Sequence, residues 1–162
     1  MIDIKIRPVH PSDAEAVHEI RIQPSVARHT LAIPSERVKS SKDFMESISQ
    51  DAHLMVATVE DKLVGIAGLH IKPGKQRHIA VLGISIHEKY HGKGIGGALI
   101  DSLLDIADNY LGLIRIELEV NVSNEKAMKL YKKKGFQVEG QLKKAHFYAG
   151  EYHDVFIMGR VK

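Results

Sequence analysis

Two stretches of this chain hold residue types that do chemistry at short, fixed spacing. The first, His87 to Ile100, satisfies three patterns at once. His87-Glu88-Lys89-Tyr90-His91 matches H-E-x-x-H, in which two histidines one helical turn apart hold zinc and the glutamate acts as base. Gly92, Gly94 and Gly97 match the G-x-G-x-x-G of dinucleotide-binding turns. His91-Gly92-Lys93-Gly94-Ile95-Gly96 also approximates Q/R-x-x-G-x-G/A, a loop that wraps a pyrophosphate in backbone amides. The second stretch, Asn124 to Phe136, sets an amide, the phenol of Tyr131 and a Gly-Phe pair along a lysine-rich segment. Between the two, Glu117 and Glu119 alternate with Ile116, Leu118 and Val120, which puts two carboxylates on one face of a strand.

Composition narrows the chemistry. A chain of 162 residues is the size of one domain, expected to span 1–162, and is long enough to bury a core. It has no cysteine, which excludes disulfides, thiolate metal sites and a cysteine nucleophile. A net charge of +3 permits an anionic ligand but is far from that of a nucleic-acid-binding tail, so no nucleic-acid partner is expected. The N-terminus, Met-Ile-Asp-Ile-Lys-Ile-Arg-Pro, has no apolar run of signal-peptide length, and no segment approaches the ~20 apolar residues of a membrane span. The expectation is a cytoplasmic protein with no membrane partner.

The elements that must position these residues are readable from periodicity. Ile2, Ile4 and Ile6 alternate with polar residues as in a strand, ended by Pro8 and Pro11. Ser12 to Glu15 reads as a capping box that opens a helix reaching about Ile22. Residues 23–50 are irregular. Pro24 and Pro34 punctuate them, and Ser35 or Ser41 could cap short helices, a natural segment for shaping a substrate pocket. The pattern predicts a hairpin of residues 54–59 and 63–69, and a further strand over residues 79–86 that leads into the first stretch. From Gly94 the period becomes helical, with Ile95, Leu99, Leu103 and Ile106 on one face. Residues 114–120 alternate again, and residues 124–134 read as a helix with lysines in its last turn and Gly135 at its C-terminal cap position. Strands begin at Phe136 and Asp154, with a turn between Phe147 and Tyr152. The sum is an α/β domain: a mixed central sheet of about seven strands with about four helices.

That context separates the three patterns. H-E-x-x-H needs a helix, yet a strand precedes His87 and two glycines follow His91. The third-ligand position of the longer zinc motif is Gly97. No metal is therefore expected. The dinucleotide fold needs its glycine turn directly after a strand and repeated β-α units. Here five residues intervene, and hairpins precede the motif, although Glu117 stands where a ribose-binding acid would. A strand, a short arm and a glycine turn opening a long helix gathers several amides and the positive helix end at one point, which suits a pyrophosphate.

With both stretches in view, the chain resembles the GNAT superfamily of N-acetyltransferases over nearly its whole length. Asn124-x-x-Ala127-x-x-x-Tyr131-x-x-x-Gly135-Phe136 agrees with the pattern of that family's last helix, and it lies at the family's distance from the loop. The tail is similar to that of the branch holding ribosomal-protein, polyamine and bacterial amino acid acetyltransferases. The resemblance implies acetyl-CoA as acetyl donor and a small primary amine as acceptor, with an amino acid favoured and a homodimer possible. It implies that Ile84, Ser85 and Ile86 lie along the pantetheine arm, that His91, Gly92, Lys93, Gly94, Ile95, Gly96 and Gly97 form the pyrophosphate loop, and that Asn124 contacts the cofactor. Tyr131 becomes the general acid for the departing sulfur. His91 replaces the usual Gln or Arg; a neutral histidine there could still hydrogen-bond a phosphate oxygen, with a contribution that depends on pH. For the base, Glu117 or Glu119 could act through water, and Glu117 is the candidate carried forward. The demand on it depends on the acceptor: near pH 7.4 a peptide-like α-amine is about a fifth to a third neutral, whereas a lysine-like amine is neutral in roughly one molecule per thousand.

Overall fold

Alternation and helical period fold the chain into one continuous sheet with helices on both faces. The computed structural model describes residues 1–162. The strands are β1 (Lys5–Pro8), β2 (Ala52–Val59), β3 (Lys62–Ile71), β4 (Ile79–Ile86), β5 (Arg115–Asn121), β6 (Gln137–Tyr148) and β7 (Glu151–Val161). The helices are α1 (Ala14–Arg21), α2 (Pro24–Ala27), α3 (Val38–Glu46), α4 (Ile95–Ile106) and α5 (Glu125–Lys133). Seven strands pair in the order β1-β2-β3-β4-β5-β7-β6. Every neighbouring pair is antiparallel except β4 and β5. The mixed-sheet α/β fold is therefore as the sequence led us to expect. Of the five helices, the unanticipated one is the single turn α2 inside the irregular segment.

The strand period of two decides which helix packs where. In β2, Leu54 and Val56 join Ala14 and Val17 of α1 and Met45 of α3 in one cluster. Ala57 and Val59 face a larger cluster holding Leu99, Ile100 and Leu103 of α4 with Tyr131 and Phe136. Ile95, Leu99 and Leu103, the apolar stripe of α4, are essentially solvent-free at 1%, 0% and 0% exposure. Burying a leucine side chain contributes roughly 1.5–3 kcal/mol, so this stripe anchors the helix that carries the glycine loop. Gly65 permits the approach: a Cβ there would stand 3.1 Å from Leu99 Cδ1.

Three local readings differ from the sequence expectation. The cap before α1 is not Ser12 with Glu15. Pro11 opens a short 3₁₀ turn, His10 Nδ1 accepts the Ser12 amide at 3.2 Å, and the Asp13 carboxylate accepts the His10 amide at 2.7 Å. Asp13 also takes two hydrogen bonds from Arg7 of β1, at 2.9 and 2.8 Å, and that long-range pair fixes which acid serves the cap. Neither Ser35 nor Ser41 caps α3, which starts after Arg37 without a side-chain cap; Ser41 lies inside it, buried. Finally, β6 runs unbroken from Gln137 to Tyr148, longer than alternation shows. Two register shifts absorb the mismatch, and at the second Lys144 adopts φ 54° and donates its amide to Asp154 at 2.8 Å.

One pairing positions the site. The parallel strands β4 and β5 keep register over three pairs only, Ile79 with Arg115, Ala80 with Ile116 and Val81 with Glu117. Beyond Val81 and Glu117 the two strands part, and the far end of β4, through Ile86, has no strand partner on that side.

Candidate active site

The wedge between the parting strands is continuous with two cavities of about 950 and 750 Å³. Ile84, Ser85, Glu119, Tyr131, His29 and Thr30 line both, so the cavities meet there.

The smaller cavity is made largely of backbone. After β4, residues 88–90 form one 3₁₀ turn, and His87 Nδ1 accepts the Lys89 amide at 3.2 Å. His91 Nε2 lies 2.8 Å from the Ile86 carbonyl oxygen. A carbonyl only accepts, so Nε2 carries the proton in that bond. The neutral ring then offers any phosphate a lone pair at Nδ1 rather than a donor. A neutral His91 would reach a phosphate oxygen as a donor only by giving up this bond to Ile86. The two histidines of H-E-x-x-H share no helix face, and each is tied to backbone.

Gly92 and Gly94 sit at φ 72° and 84°, a region that strongly favours glycine. Gly94 is the N-terminal cap of α4 and brings no side chain to occupy the first-turn amides. Those amides and the positive helix end are left facing the cavity, which is the arrangement that holds a phosphate. Gly96 has a different task. A Cβ there would lie 3.0 Å from Leu130 Cδ2 and 3.1 Å from Ile86 Cδ1, so its bareness lets α4 close on α5 and β4.

The structure brings the sequence-selected residues together with two exceptions. Ile84, Ser85, Ile86, His91, Gly92, Gly94, Ile95, Gly96, Gly97 and Asn124 all line the smaller cavity. Lys93 does not; its ammonium sits 5.2 Å from the centroid of the Tyr90 ring. Asn124 caps α5, accepting the Ala127 amide at 3.3 Å through its oxygen, which leaves the NH₂ group free to donate. Tyr131 is 7% exposed, with its ring edge-on to Phe136 at 6.0 Å. Burial pushes its phenol up to about 12.

Glu117 is the second exception. It lines only the larger cavity and is held by Lys72 and by Arg115 Nε at 3.0 Å. Arg115 continues into a two-pronged pair with Glu139, one prong at 2.9 Å. Burial works to raise the Glu117 carboxyl, but hydrogen bonds from Lys72 and Arg115 overcome it and leave the group below its usual range. Its oxygens are committed to two cations. Glu119 is looser, with His146 at 3.7 Å and a half-exposed side chain.

Sequence reasoning missed the role of α2. Its cap residue Gln23 accepts the Glu88 amide at 2.9 Å, and Ser25 donates to the Glu88 carboxylate at 2.9 Å. These bonds bind the irregular segment to the glycine loop and carry His29 and Thr30 to the junction of the cavities. No spacing pattern announces such a contact.

Comparison with known proteins matches this geometry. Residues 15–136 fit the model of the Acetyltransferase (GNAT) family. The chain is 34% identical to the L-amino acid N-acetyltransferase AaaT of Escherichia coli K12, covering 100% of both chains. It is 28% identical to the spermidine N(1)-acetyltransferase of the same organism, over 96% of this chain and 84% of that protein. Among solved structures, spermidine N-acetyltransferase from Vibrio cholerae in complex with CoA and spermine superposes with a TM-score of 0.86 at 26% identity, covering 98% of this chain and 95% of that one. The chain belongs to the GNAT family of N-acetyltransferases.

Proposed function

We propose that the protein transfers an acetyl group from acetyl-CoA to the primary amine of a small molecule, an amino acid being favoured, with Tyr131 as general acid. The observation that carries this reading is the meeting of two cavities at one buried phenol. The smaller cavity fits the donor: uncapped first-turn amides of α4 suit a pyrophosphate, and the strand edge at Ile84, Ser85 and Ile86 offers backbone groups to an extended arm. The relation to AaaT, an L-amino acid N-acetyltransferase, favours an amino acid in the larger one.

Acetyl-CoA supplies the activated acyl group when bound; the chain supplies orientation and protons. A phenol whose pKa is raised to about 12 keeps its proton throughout the neutral range and can give it to a departing thiolate. Glu117 contributes by holding Lys72 and Arg115 in place, which fixes the charge of the acceptor cavity wall.

One observation favours a polyamine instead. The cations lining the larger cavity are already paired: Arg21 with Glu36, Lys72 with Glu117, and Arg115 with Glu117 and Glu139. An amino acid carboxylate would have to displace one of these carboxylates, whereas a polyamine ammonium could pair with Glu119. Incubating the purified protein and acetyl-CoA with amino acids, polyamines and N-terminal peptides decides between them. Failure of acetyl-CoA to bind or to raise the melting temperature removes the proposal altogether. Cofactor binding with no turnover on any amine, and no loss of function in Tyr131→Phe, would mark a non-catalytic acyl-CoA sensor.

A cytoplasmic homodimer completes the proposal. No helix is long and apolar enough to cross a membrane. The edge strand β6 exposes Val138, Leu142 and Phe147, an edge along which a second copy can pair. Light scattering on the eluting protein tests it.

A further inference from the structure

Acetyl transfer must also dispose of the proton shed by the attacking amine, and the strand carboxylate carried forward from the sequence is held by two cations. We propose that His29 receives that proton, a step that rests on the acetyl-transfer reading above.

Position is the first support. His29 lines both cavities, together with Tyr131 and with Ser85 at the strand edge. It therefore borders the space an amine must enter to reach an acyl group placed along β4. Its place is fixed rather than incidental: α2 is fastened to the glycine loop through Gln23 and Ser25, and the His29 amide bonds back to the Val26 carbonyl at 3.0 Å.

The state of the ring is the second support. His29 Nδ1 is buried without a hydrogen-bond partner. No acceptor there stabilises an imidazolium. Burial lowers the pKa of the ring, and the neighbouring charges of Arg28 and His91 lower it further. Glu119 and Tyr131 share its wall from β5 and α5. A ring that is neutral at physiological pH has a lone pair to give. It need not be a strong base, because an amine nitrogen that has begun to bond to the acyl carbon becomes far more acidic than the free ammonium.

The balance is complete without any further reactant. The nitrogen lone pair forms the C–N bond and the C–S bond breaks, its electron pair staying on sulfur. Tyr131 gives its proton to that sulfur, and the nitrogen gives one of its protons to Nε2 of His29, since Nδ1 is sealed from the cavity. A proton returning from the imidazolium to the phenolate, directly or through water, resets both groups.

Three measurements test this. His29→Gln should lower kcat by about 100-fold, the lower end for a general base, while calorimetry gives an acetyl-CoA affinity within threefold of the parent. In the parent, kcat/KM should carry an acid-side ionisation below pH 6.5 that is absent in His29→Gln, and free imidazole should restore His29→Ala about tenfold. A variant that keeps more than a third of kcat, or an acid limb unchanged by the substitution, overturns the proposal. So does a loss of turnover that imidazole does not relieve and that a matching loss of acetyl-CoA affinity explains. Proton NMR of the ligand-free protein reads the ring without catalysis: titration of His29 below 6.5 supports the assignment, and titration at or above it overturns it. Wild-type protein that acetylates no amine counts against the acetyltransferase reading, and the NMR titration still decides the state of His29.

Discussion

The two cavities that share Tyr131 are built from different materials. The smaller is a surface of backbone: glycines at positive φ, uncapped helix amides and a strand edge without a partner. The larger is a surface of side chains, in which Lys72, Arg115, Glu117 and Glu139 hold one another across β5, β6 and the end of β3. Backbone presents the same groups whatever the residue, provided the conformation is kept, so a backbone site is defined by where side chains must be absent. A site of ion pairs is defined by which side chains are present, and changing one alters shape and charge together. The first construction suits a constant ligand, the second a ligand that differs among relatives.

Substitutions on either side sharpen or break that contrast. The largest effect belongs to the shared residue. Tyr131→Phe removes one oxygen from a buried ring, so kcat should fall by roughly 10²–10⁴-fold, with acetyl-CoA affinity by calorimetry nearly unchanged. Because burial holds the Tyr131 phenol up to about 12, the parent should show no alkaline loss of kcat from this group until pH nears that value. A fall centred near pH 8 that disappears in the phenylalanine variant would remove Tyr131 as the acid.

Next comes the backbone side. Gly96→Val places branched carbons where a Cβ alone would stand 3.0 Å from Leu130. Overpacking of this kind costs about 1–3 kcal/mol. Acetyl-CoA binding should weaken at least tenfold while the KM for the amine moves little. Equal loss for both ligands would show that the cavities do not respond separately.

The side-chain cavity should give the converse. Arg115→Met leaves Glu139 without its partner and Glu117 with Lys72 alone. Losing hydrogen bonds to charged groups costs roughly 1.5–3 kcal/mol each where they are buried, and less at this partly exposed site. Amine KM should rise about tenfold with acetyl-CoA affinity unchanged. A shift in acetyl-CoA affinity alone would contradict the division. The smallest effect is expected at His91, whose bond to the Ile86 carbonyl tethers the loop. His91→Ala should weaken acetyl-CoA about fivefold, the equivalent of the ~1 kcal/mol typical of one hydrogen bond. A loss near a hundredfold would mean that the ring meets the phosphates directly.

The same contrast explains what the sequence discloses. The helix α4, the α5 pattern from Asn124 to Phe136 and the strand before His87 were all legible, because local period and glycine spacing generate them. Even the H-E-x-x-H match could be weighed from its neighbours, a strand before it and two glycines after it. The pairing of Arg115 with Glu139 was not legible, since it forms across strands brought together only by the sheet. The capture of Glu88 by Gln23 and Ser25 was equally hidden, and with it the placing of His29. The cap before α1 was misread for a related reason: Ser12 and Glu15 have the right local spacing, but Arg7 from another element holds Asp13. The length of β6 was hidden by bulges, which interrupt alternation without ending a strand.

The three-pair seam between β4 and β5 has a mechanical consequence. It divides the sheet into two plates, β1 to β4 on one side and β5, β7 and β6 on the other, joined near one end. An extended molecule lying in the wedge acts as a removable splint. With the splint in place, the amides at the free end of β4 and the hinge itself should exchange with solvent more slowly; once it leaves, the plates recover their freedom to flex. Equal exchange at Ser85 and Ile86 with and without acetyl-CoA would show a seam that is already rigid.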